Sequence, residues 1–168
     1  MNKKALIKRL AKSFHENWRK TVLNQDGTYE PHWKVIKDTD FIKKLKEKAS
    51  LPENVRKGKK GVYEIDIANS TFEMLSKDWK EENEKAAEIV ANIIEIEEIT
   101  KHKLSRSEIG DIIHDAWLSR NAWARQSNLD MQFENLSKEE QEKDIDQYLI
   151  ARKIFDDMEW EEQIVKEM

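Results

Sequence analysis

The sequence predicts an all-α fold: about five helices in a single domain, assembled from two diverged helix–extended–helix repeats, with at most a small β-ribbon. Three observations carry this. Apolar residues recur at three-to-four spacing along most of the chain. Ser-x-x-Glu boxes, Ser105 to Glu108 and Ser137 to Glu140, mark helix starts. A pair of signatures also occurs twice in the same order. Phe72-Glu73-Met74-Leu75-Ser76-Lys77 and Phe133-Glu134-Asn135-Leu136-Ser137-Lys138 share F-E-x-L-S-K, 61 positions apart. Upstream stand Phe14-His15-Glu16-Asn17-Trp18 and Ile113-His114-Asp115-Ala116-Trp117.

From the N-terminus, Ile7, Leu10, Ala11, Phe14, Trp18 and Val22 form one apolar stripe, so a first helix is expected from Asn2 to about Leu23. Asn24-Gln25-Asp26-Gly27 ends it in turn chemistry. A calcium loop centred on Gly27 is excluded, because Val22 and Trp33 would fall at its first and twelfth positions, where carboxylates are required. Tyr29 to Lys37 reads as an irregular aromatic segment, and Asp38 or Thr39 as the cap of a short basic helix to about Lys48. Arg56 to Gly61 has linker character. Val62 to Ile67 alternates as a strand does, with Leu129 to Phe133 as its counterpart in the second copy. The two would pair as a ribbon or lie extended across helices, and the second arrangement is preferred.

Ser76 is expected to cap a long central helix, Lys77 to Lys101, whose Ala86, Ala87, Ile89, Val90, Ile93, Ile94, Ile96 and Ile99 cover over half its circumference. Helices from Arg106 to Asn121 and from Ser137 to about Asp156 follow, the last with Ile145, Tyr148, Leu149, Arg152 and Phe155 inward. Residues 157 to 168 read as an acidic amphipathic end with Trp160, Ile164 and Met168 on one side, expected to dock on the body, with a partner-binding helix as the alternative. Repeat one thus spans about 5–101 with an insertion at about 24–61, and repeat two about 105–156.

The chain of 168 residues can bury one sizeable core, and 38% hydrophobic with 38% charged residues is lean but periodic. Without cysteine there are no disulfides or thiolate metal sites, and a reduced, cytoplasmic setting is expected. No stretch reads as a signal peptide or membrane span. Net charge is −4, unevenly placed: residues 1–61 hold 17 Lys and Arg against 7 Asp and Glu, the remainder 13 against 27. Such asymmetry suits either an anion or nucleic-acid face, or two halves that attract each other.

Each signature helix sets a histidine at the border of its apolar stripe. The helix after F-E-x-L-S-K carries a polar residue at matching offset, Asn83 and Asp144. Half-buried polar groups need partners, so the pairs His15 with Asn83 and His114 with Asp144 are expected as internal locks. A general base built from His114 and Asp144 is the catalytic alternative, but no patterned Ser or Cys nucleophile accompanies it, and no catalytic residue is assigned. Four scattered histidines offer no ligand spacing, so neither metal nor cofactor is expected. The densest binding candidate is the run Arg120, Asn121, Trp123 and Arg125, which with Trp33 would stack a base and hold a phosphate. Arg56, Lys57, Lys59 and Lys60 around two glycines form a second, anion-binding candidate without P-loop spacing.

The succession I-H-D-A-W, then F-E-N-L-S-K-E-E-Q-E-K-D-I, resembles the ryanodine-receptor-type repeat domain over positions 109–150, with a looser copy over 10–90. Ser76 and Ser137 stand where that family tends to have proline, and its Tyr-Gly element is missing. The resemblance implies a small helical ligand- or protein-interaction unit of bacterial or phage origin rather than an enzyme. The expected function is therefore a non-enzymatic module that recognises a nucleotide-like or anionic ligand or a protein partner. Acid/base catalysis by His114, and nucleic-acid binding through the basic first third, are the rivals.

Overall fold

A computed structural model describes all residues, Met1–Met168. The protein is mostly helical, with five α-helices and one small antiparallel sheet. The helices are α1 (Lys3–Thr21), α2 (Thr39–Lys46), α3 (Lys77–Thr100), α4 (Arg106–Arg120) and α5 (Lys138–Glu167). The strands are β1 (Trp33–Val35), β2 (Val55–Lys57) and β3 (Tyr63–Asp66). The chain forms two compact units: one comprises Met1–Ala11 with Glu84–Met168, the other Lys12–Asn83.

In the Lys12–Asn83 unit the sheet order is β1-β3-β2, all antiparallel. Register places Ile65 between Lys34 and Val55, and Glu64 between Val35 and Arg56. One face buries Ile65 and Val55 in a cluster with Ile36, Leu45 and Leu75, flanked by Phe41, Ile42 and Trp79. Period-two alternation then turns Val35, Arg56 and Glu64 outward.

The strand expected at Val62–Ile67 is present as β3, but its partners come from the expected insertion and not from the second copy. Leu129 to Phe133 does not form a strand; it leads into a 3-10 turn, Phe133–Asn135. Arg56 to Gly61, expected as a linker, is the end of β2 and the turn of the β2–β3 hairpin. Lys60 and Gly61 hold φ of 60° and 75° there, and Gly58 N–H donates to Val62 O.

Asp38 caps α2 with Oδ1, accepting from Phe41 N–H at 3.2 Å, and its Oδ2 accepts from Lys77 N–H at 3.0 Å. Asp78 Oδ2 returns the arrangement by accepting from Lys37 N–H. The orphan amide at the start of α3 is therefore met by a residue distant in sequence, as helix termini require. Ser76, the expected cap, does not do this: its Oγ is buried without a hydrogen-bond partner.

In the other unit, Ser105 and Glu108 form the expected capping box of α4, and Ser137 Oγ accepts from Glu140 N–H at the start of α5. Buried residues include Leu6 and Leu10 on α1, Val90, Ile93 and Ile94 on α3, and Ile109 and Ile113 on α4. Phe133 packs against α4 so closely that a Cβ on Gly110 would strike its ring. The expected break near Asp156 is absent, and α5 runs unbroken through the acidic end. No helix is long and apolar enough to cross a membrane.

Candidate functional site

His15 and His114 are both 3% exposed, and each sits on the buried stripe of its helix, α1 and α4. His15 Nε2 lies 2.8 Å from Ser70 O, and His114 Nε2 lies 3.0 Å from Leu129 O. A carbonyl oxygen only accepts, so in both rings Nε2 carries the proton and donates. Each ring also stacks on the tryptophan one turn later: His15 on Trp18 at 6.0 Å and 26°, His114 on Trp117 at 5.9 Å and 17°. A third ring meets each tryptophan edge-on, His32 at 5.2 Å from Trp18 and Trp123 at 5.7 Å from Trp117.

The F-E-x-L-S-K segments have matching local form. Phe72–Met74 and Phe133–Asn135 are 3-10 turns, followed by Leu75 and Leu136 in extended geometry and buried. In each, the leucine N–H donates back to the phenylalanine carbonyl, at 3.2 and 3.1 Å.

The second ring nitrogen separates the two histidines. His114 Nδ1 is 3.7 Å from Asp144 Oδ2, with 4% and 14% of the side chains exposed. Burial pushes the Asp144 carboxyl up to about 6, with His114 pulling it the other way. His15 has a different partner from the one expected. Its contact is the Ser70 carbonyl, while Asn83 Nδ2 donates to Trp79 O in its own helix, as a short amide on a helix readily does. Burial lowers the His15 pKa, the Ser70 contact opposing it.

The Arg120–Arg125 run ends α4. Asn121 leaves helical geometry, donating from Nδ2 to Trp117 O at 2.9 Å and accepting from Trp123 Nε1 on Oδ1 at 3.3 Å. Trp123 is thereby oriented although 64% exposed. Arg120 is half-buried and Arg125 exposed. Trp33 belongs to the other unit, on β1, where the Arg56 guanidinium covers its ring at 4.2 Å. Arg56 Nε also donates to Glu64 at 3.0 Å, so one of the four expected anion-binding cations is already engaged. Lys57 lies 6.0 Å from the Tyr63 ring, and Lys59 and Lys60 form the hairpin turn.

Sequence reasoning missed Glu97. Its side chain is fully buried, accepts from Tyr148 OH at 2.7 Å and from Leu104 N–H at 2.8 Å, and lies 3.3 Å from Arg152. Arg152 also donates to Glu98 at 2.7 Å. The signal was available: Glu97 falls one turn after Ile93 and two after Val90 on the buried stripe of α3, and Tyr148 and Arg152 are four apart on α5. Burial, then the bond to Glu97, raises the Tyr148 pKa. No group of three or more His, Asp or Glu side chains is placed to hold a metal ion. Comparison with protein-family models, curated proteins and solved structures finds no match.

Proposed function

We propose that this chain is a non-enzymatic interaction module, built from two diverged copies of one helix–turn–helix unit of the ryanodine-receptor-type repeat kind. In this reading the Trp123 corner receives a planar, anionic group such as a nucleotide. The observation that carries it is an indole held at fixed orientation by Asn121 and Trp117 yet 64% exposed. A pre-oriented aromatic face loses little entropy on contact, and Arg125, exposed two residues further along the chain, is the cation available to an anion. The two-copy reading draws support from the paired His–Trp stacks, the paired Nε2-to-carbonyl bonds and the paired 3-10 turns. The catalytic alternative is disfavoured because His114 spends Nε2 on Leu129 O and turns Nδ1 to Asp144, so neither nitrogen is turned toward a substrate.

Thermal-shift and tryptophan-fluorescence titrations with nucleotides test this reading. A ligand of the native state raises the midpoint. The rise should vanish in Trp123→Ala and shrink in Arg125→Ala, while a null response across nucleotides removes the small-ligand reading. Nucleic-acid binding through the β2–β3 hairpin is the second reading, favoured by Arg56 on Trp33 with Lys57, Lys59 and Lys60 beside it. It predicts single-strand retention that weakens steeply with salt.

A further inference from the structure

We propose that the last turns of α5 are a docking surface for a basic amphipathic helix of a partner protein. Every residue from Trp160 to Met168 is exposed, with Trp160 at 64%, Val165 at 70% and Ile164 at 41%. The last buried residue of α5 is Phe155, and the helix continues to Glu167, roughly 18 Å further at the α-helical rise. At 100° per residue, Trp160, Ile164 and Met168 share one side of this extension. Glu161 borders that side on one edge, Asp156 and Glu167 on the other, and Asp157 closes it one turn before Trp160.

An apolar ridge between two acidic edges is the complement of a helix with an apolar face bordered by Lys and Arg. Residues 157–168 hold five acidic residues against one lysine, so antiparallel pairing with a second α5 would set like charges together. The acidic edge already takes a cation within this chain: Arg9 lies 3.2 Å from Glu161. Lys153 interrupts the stripe one helical repeat earlier, which confines the footprint to Trp160 and beyond. This surface is separate from the Trp123 corner, and neither depends on the other.

The full chain is titrated, by fluorescence polarisation, into three labelled 18-residue peptides: an amphipathic Leu/Lys helix, a scrambled Leu/Lys sequence of equal composition, and an amphipathic Leu/Glu helix. Binding of the first alone is expected, weakening with salt and by at least about tenfold in the double variant Trp160→Ala/Ile164→Ala. Circular dichroism should show the variant folded, since both side chains are exposed. Trp123→Ala should leave this affinity unchanged. Equal binding of the scrambled peptide, or unaltered affinity in the double variant, overturns the proposal. So does a concentration-dependent dimer that the same substitutions abolish, which would assign the face to a second copy, and so does binding of the variant-sensitive kind to zwitterionic vesicles.

Discussion

His15 and His114 make the same two contacts: each stacks on the tryptophan three residues on, and each donates from Nε2 to a backbone carbonyl of the segment that leads into F-E-x-L-S-K. They part at the second nitrogen. His114 faces the Asp144 carboxylate, whereas at the matching offset the His15 region has Asn83, whose amide serves its own helix. The unit that holds His114 also buries Glu97 with Arg152, while the His15 region binds its connection through Asp66, Ser70 and Asn54, with backbone amides and hydroxyls as partners. The His15 region is therefore anchored by side chains bonded to the backbone of its connection, Asp66, Arg19 and Glu16 among them, and the other by a fully buried carboxylate beside a guanidinium. The difference should be visible in how each responds to pH and to truncation.

The largest effect is expected where buried charge loses its partner. Glu97→Ala leaves Tyr148 OH and the Leu104 amide without their acceptor and Arg152 with Glu98 as its one remaining carboxylate, and should cost about 3–5 kcal/mol in urea denaturation, with little salt dependence. A loss under 1 kcal/mol would mean the charged anchor carries no weight. His15→Ala and His114→Ala each remove a buried ring and orphan a carbonyl, for roughly 2–4 kcal/mol apiece. Similar losses would support a shared design; an intact melt with loss of an activity for His114→Ala would favour catalysis. Gly110→Ala forces a methyl against Phe133 and should cost about 1–3 kcal/mol, despite the better helix propensity of alanine.

The pH responses should have opposite signs. Asp144 takes up a proton more readily folded than unfolded, so its contribution is full below 3.8 and lost as pH rises through about 6. The folded His15 pKa lies below 6.5, so its contribution is full above 6.5 and lost as pH falls through the lowered value. Asp144→Asn should therefore gain on the parent between pH 4 and 7.5, by on the order of 2 kcal/mol. His15→Gln, which keeps a donor but no longer titrates, should flatten the acid limb. The smallest expected change is Trp123→Ala, within about 0.5 kcal/mol in stability because the indole is largely exposed, with its effect confined to ligand response.

Much of the helical framework was legible. The α1 stripe, the Asp38 cap and the Ser105 box each depend on neighbours a few residues away, which a single sequence displays; the α3 stripe holds through Ile94, but Ile96 and Ile99, expected on it, are exposed, as is Leu149 on α5. Other features were hidden because their causes lie far along the chain. β1 and β2 are three residues long, too short for alternation to register, and exist through pairing with β3. Ser76 reads as a cap, yet Asp38, 39 positions before Lys77, meets the Lys77 amide. Asn83 matched Asp144 by offset but bonds within its helix, since an offset cannot say which way an amide turns. His114 and Asp144, both short of their hydrogen-bonding needs on apolar stripes, do come together.

Both histidines are consumed by the structure, and nitrogen-15 spectra of the imidazoles test that directly. Nε2 should carry its proton in His15 and in His114, whatever the charge on either ring, because each faces a carbonyl oxygen that only accepts. An unprotonated Nε2 on His114 would break its bond to Leu129, free a basic nitrogen, and contradict the non-catalytic reading.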